Sequence, residues 1–96
     1  MTKDEFKYKG LDIATNTTML LNVLVKQNKI GKTTANKIIK LLNDLVGELN
    51  IKKNKKHDIM LAYLNIESIY NIITLKMVEK QSFFNGLLDE ILESIN

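Results

Sequence analysis

Apolar residues recur at steps of three and four along most of this chain, the period of one face of an α-helix. The clearest case is Ala35, Ile38, Leu42, Leu45 and Leu49, with Ile39 and Val46 widening the same face. Gly31 breaks the pattern just upstream, and Thr33 or Thr34 can cap a new start, so a helix is predicted from there to about Asn50. Before it, Thr15, Thr18, Asn22, Lys26 and Lys29 form one narrow polar stripe, while Met19, Leu20, Leu21, Val23, Leu24 and Val25 fill the rest. That predicts a helix from about Asp12 to Lys29, apolar over most of its circumference and suited to the inside of a bundle.

The third predicted helix, capped by Asp58 and reaching about Lys80, is the longest, at roughly 33 Å. Fourteen of the twenty residues from Ile59 to Val78 are apolar, too many for one buried face. Two stripes can be drawn. Ile59, Tyr63, Ile66, Tyr70, Ile73 and Met77 have the spacing of a helix-pairing seam, and self-association as a two-fold homodimer is assigned to them. Leu61, Leu64, Ile72 and Leu75 form the other stripe, interrupted by Ser68. Ser82 can cap a fourth helix to about Ile95, with Phe83, Phe84, Leu87, Leu88, Ile91, Leu92 and Ile95 on one face. Residues 1–10, where Phe6 and Tyr8 alternate with polar neighbours, read as a mobile N-terminal arm. The expected architecture is therefore all-α: an arm over 1–10, then a single domain over 11–96 with about four helices, largely antiparallel because the connections are short.

Composition narrows the chemistry. Ninety-six residues without a cysteine exclude disulfides, thiolate catalysis and cysteine zinc sites, and suit a reducing cytoplasm. There is no proline, no charge-free N-terminal leader, and no apolar run longer than Ile59–Leu64, so no membrane span is expected. All fourteen basic residues are lysine. Together with the many asparagines and isoleucines this reflects AT-rich codons, as in a low-GC bacterium or its phage or plasmid. It also removes arginine, the usual reader of guanine edges. Charge is uneven: twelve lysines and five carboxylates in residues 1–57 give +7, and two lysines and six carboxylates in 58–96 give −4. Such asymmetry fits a basic partner-binding half or head-to-tail pairing.

No catalytic set emerges. Gly31-Lys32-Thr33 resembles the end of a phosphate-binding loop, but the earlier glycine position is Lys26 and a helix, not a strand, precedes it. Residues 24–42 can be laid on a helix-turn-helix template, with Lys32, Thr33, Thr34, Asn36 and Lys37 toward DNA, but the turn glycine falls on Lys29. Lys52, Lys53, Lys55 and Lys56, beside the lone His57, form the densest charge cluster and are the candidate partner-binding residues. Asp89, Glu90 and Glu93 lack the calcium-loop or Glu-x-x-His spacing that would make them metal ligands. The expectation is a non-enzymatic helical module, without cofactor or metal, that regulates, inhibits, protects or assembles a protein partner. A nucleic-acid binder using the lysine-rich half is the alternative. In size and helix number the chain resembles the four-helix immunity proteins of bacteriocin producers and small phage inhibitors of host processes, which likewise implies action by binding.

Overall fold

Thr2 opens the first helix, α1 (Lys3–Lys26), in a computed structural model that describes residues 1–79 and 84–95. Its hydroxyl accepts from the Glu5 amide at 3.2 Å, and the Glu5 carboxylate accepts from the Thr2 amide at 3.4 Å. This is a capping box, and it satisfies two amides that a helix start would otherwise leave orphaned. The Thr2 donors hold the Glu5 carboxyl below the usual carboxylate range. Residues 1–10 are therefore not an arm; from Lys3 onward they are the first turns of α1. What anchors them is Phe6, which is buried, with its ring 5.3 Å from that of Tyr63 on the third helix.

α1 closes at Asn28, which takes a left-handed φ of 57°. The Asn28 amide donates to the Val25 carbonyl at 3.0 Å and the Lys29 amide to the Leu24 carbonyl at 2.9 Å. That pairing is a Schellman close, and asparagine tolerates its left-handed residue better than most side chains do. Ile30 is buried beneath the turn. Gly31, not Thr33 or Thr34, is the N-cap of α2 (Lys32–Asn50), which buries Ala35, Ile38, Leu42 and Leu49 as its period predicts. α3 (Lys56–Val78) starts two residues before Asp58, which instead accepts from the Lys55 amide at 3.3 Å. α4 (Leu87–Ile95) follows a turn in which Phe84 and Gly86 have φ of 64° and 75°. The predicted start at Ser82, and Phe83 with it, lie outside the described residues.

Close approaches establish the topology. A Cβ on Gly10 would stand 2.6 Å from Leu49, so the start of α1 lies on the end of α2 and the two helices run antiparallel. Phe6 and Tyr63 pair the N-terminal turns of α1 and α3, which are parallel. Lys76 bridges to Glu90, and the hydroxyls of Ser68 and Ser94 touch, so α4 runs back along the C-terminal half of α3. α4 also touches α2, giving an up-down-up-down bundle 41 × 21 × 19 Å in extent. α3 is its central element, packed against all three other helices. Thr17, fully buried on α1, donates to the Ile13 carbonyl at 2.7 Å and so leaves no unmet polar group.

Candidate functional site

The seam assigned to self-association lies mostly inside this chain. Ile59, Ile66 and Ile73 are fully buried, and Ile69 joins them. Tyr63 is half-buried; its ring rests on Phe6 and Gly10, and its hydroxyl donates to Glu67 at 2.7 Å. That hydrogen bond to a carboxylate pushes the Tyr63 hydroxyl above the usual phenol range. Tyr70 is half-buried, and only Met77 is exposed. The physical reason is the central place of α3. Three neighbouring helices converge on one side of it and consume the isoleucine stripe, while the leucine stripe is left outside.

Leu61, Leu64, Leu75 and Val78 are 44%, 43%, 60% and 79% exposed. Ser68 and Asn71 complete their row, at alternating steps of three and four. At 100° per residue these six positions cover one continuous band of helix surface, roughly 26 Å long. α4 flanks only half of it. Its nine residues extend about 14 Å, against about 35 Å for the 23 of α3. The end of α4 lies level with Ser68, short of Leu61 and Leu64. The sequence signal was present in part: Leu61, Leu64 and Leu75 belong to the second predicted stripe, but its Ile72 packs against the core, and Val78, which was not counted in it, is exposed.

The lysine cluster occupies the turn between α2 and α3, with Lys52, Lys53, Lys55, Lys56 and His57 all exposed. Asn54 pins this turn by donating to the Glu48 carbonyl at 2.9 Å and its carboxylate at 3.2 Å. The fold adds two residues that the sequence alone did not join to the cluster. The Lys3 ammonium donates to the Lys52 carbonyl at 3.3 Å, and Lys3 and Lys7 line a 180 Å³ cleft with Leu49, Ile51 and Ile59. The spacing Thr2-x-x-Glu5 is the sequence signal that could have found them, because it marks a helix start. Lys55 and Lys56 sit at the N-terminus of α3, where the helix dipole disfavours a cation. Helix stability does not explain their placement.

The remaining candidates separate. Residues 24–42 form an antiparallel hairpin, with Leu11 and Ala14 of α1 facing Val46 of α2, and not the crossed pair of a helix-turn-helix. Gly31-Lys32-Thr33 follows a helix, and of the three only Gly31 borders a 360 Å³ cleft, with Asn28 and Asn85. Asp89, Glu90 and Glu93 are exposed on α4. Glu90 is 3.0 Å from Lys76, and this bond, with Glu79 at 3.4 Å, pushes the lysine above its usual range. Among the described residues no three His, Asp or Glu side chains are grouped to hold a metal ion, and no helix is long and apolar enough to cross a membrane. No protein family, curated protein or solved structure matches the chain.

Proposed function

We propose that this chain is a non-catalytic protein-binding module, a regulator, inhibitor, immunity or assembly factor of the cytoplasm, and that it docks through the outer face of α3. The observation that carries this reading is the exposure of Leu61, Leu64, Leu75 and Val78 on one helix band. An apolar band of that length is unusual on a surface that meets only water, and it is the common mark of a macromolecular contact. Its spacing matches helix-in-groove or helix-on-helix recognition. The cysteine-free composition agrees with a reducing compartment.

Affinity capture from cells, in high salt, tests this reading. The chain should retain a protein, either another polypeptide or itself, that the Leu64→Glu/Leu75→Glu variant loses while keeping its helical circular dichroism. Equal retention by both would remove the outer face from the function. One observation favours a second reading: six lysines, Lys3, Lys7, Lys52, Lys53, Lys55 and Lys56, gather at one pole. A nucleic acid could be gripped there by its phosphates without base readout. Titration of a fluorescent duplex would then show affinity falling steeply with salt and lost on replacing the loop lysines by Gln. Binding that is absent at low salt eliminates this reading.

A further inference from the structure

We infer that Asn85 is a site of spontaneous deamidation, at which the folded chain converts its own Asn85-Gly86 unit through a cyclic imide to aspartate and isoaspartate.

The step needs only the chain and water. The backbone nitrogen of the residue after an asparagine attacks the carbon of the side-chain amide. The bond that forms closes a five-membered succinimide ring. The bond that breaks releases the side-chain nitrogen as ammonia, which takes up the proton that the backbone nitrogen loses. Water then opens the ring at either carbonyl. One opening leaves an ordinary aspartate; the other leaves isoaspartate, whose main chain runs through the former side chain. The reaction is favoured where the attacking nitrogen belongs to a glycine, where no hydrogen bond holds that nitrogen, and where the peptide can rotate.

The fold sorts the asparagines by these requirements. Ten of the eleven lie among the described residues, and Asn85 is the only one followed by glycine. Seven of the ten are helical, two in α1, three in α2 and two in α3. A helical backbone turns the following nitrogen away from the asparagine side chain and cannot rotate without breaking its ladder. The other three, Asn28, Asn54 and Asn85, stand between helices. After Asn28, the Lys29 amide is held by the Leu24 carbonyl at 2.9 Å. After Asn54, the Lys55 amide donates to the Asp58 carboxylate at 3.3 Å, and the Asn54 side-chain amide is itself held by Glu48 at 2.9 and 3.2 Å.

Asn85 differs from both. It is exposed, and with Gly86 it forms the centre of a turn that the Leu87 amide closes on the Phe84 carbonyl at 3.1 Å. That bond uses neither atom of the 85–86 peptide. Gly86 has φ of 75°, a value that type II turns reserve for glycine at this position. A Cβ there would meet nothing within 4 Å, so the peptide has room to turn over. Both products set a carboxylate just ahead of α4. It is placed at the positive end of the helix dipole and on the same 360 Å³ cleft as Lys29, so aspartate suits the site. Isoaspartate does not. It adds one carbon to the main chain between Phe84 and Leu87, both buried, and so strains the entry to a helix of only nine residues.

Incubation of the folded chain at mildly alkaline pH, followed by peptide mapping with mass spectrometry, tests this. The peptide holding residues 85 and 86 should gain the mass of an amide-to-acid exchange and split into aspartate and isoaspartate forms, while Asn28 and Asn54 stay intact. On ion exchange the whole chain should lose one unit of its +3 charge. Asn85→Gln should abolish the change, because glutamine would have to close a six-membered ring. Gly86→Ala should slow it on the order of tenfold, since a side chain now shields the nitrogen. Alanine is strained at that φ, so Asn85→Gln carries the assignment if Gly86→Ala loosens α4. The purified isoaspartate form should unfold in less denaturant than the aspartate form. An Asn85 that stays intact in the folded chain, while the guanidinium-unfolded chain reacts at the same pH, overturns the inference, because the turn would then protect the site. Equal conversion at Asn28 or Asn54 overturns it as well, and aspartate formed without isoaspartate rules out the imide.

Discussion

Ile73 and Leu75 stand two residues apart on α3, one fully buried and the other mostly in water. Both belong to apolar stripes with helical spacing, and neither stripe is interrupted by charge. The difference between them lies entirely in what the rest of the chain brings up. α1, α2 and α4 converge on the isoleucine side, while on the other side Leu61, Leu64, Leu75 and Val78 stay 43–79% exposed. Apolar periodicity thus counts how many faces of a helix want a neighbour. It does not say which neighbour is part of the same molecule.

The comparison breaks most visibly at its buried member. Ile73→Ala should cost about 2–5 kcal/mol of stability, the range for emptying a fully packed aliphatic site. For a domain whose total stability is about 5–15 kcal/mol this is a large fraction. Urea unfolding followed by circular dichroism measures it. A loss under about 1 kcal/mol would mean that the isoleucine stripe is not the closed core described above.

A smaller effect separates packed from open backbone at two helical glycines. A Cβ at Gly10 would meet the buried Leu49 at 2.6 Å, whereas one at Gly47 would meet nothing within 4 Å. Gly10→Val should therefore cost about 1–3 kcal/mol by overpacking. Gly47→Ala should add about 0.5–1 kcal/mol, because alanine restricts the unfolded chain and favours the helix. The pair also tests the N-terminal turns. If residues 1–10 were an unpacked arm, Gly10→Val would leave the midpoint of unfolding where it is.

These residues show how far the sequence could be read. The stripes of α2 and the buried Leu87 and Ile91 of α4 were legible, because one apolar face on a polar helix has one place to go. The start of α1 was misread because Phe6 and Tyr8 alternate with polar neighbours, as in an extended arm. In the fold Gly10 is the small residue that lets α2 approach, and Phe6 is the anchor on Tyr63. Neither role is visible without the partner helix. The lysine turn was legible as a charge run, but Lys3 and Lys7 join it only through a contact spanning 49 residues. On α3 both stripes were found and the inner one was taken for the outer, because spacing is the same on either side of a helix and only tertiary packing distinguishes them.

The smallest expected effect sharpens that distinction furthest. Leu75→Ala, measured by urea unfolding of the isolated chain, should change stability by no more than about 0.5 kcal/mol. Most of the leucine side chain is already in water, so little apolar area is at stake, and alanine is a slightly better helix former. The same substitution at Ile73 should cost several times more. If Leu75→Ala instead loses several kcal/mol, Leu75 belongs to the core, and the two stripes of α3 are not the different surfaces that their exposure makes them.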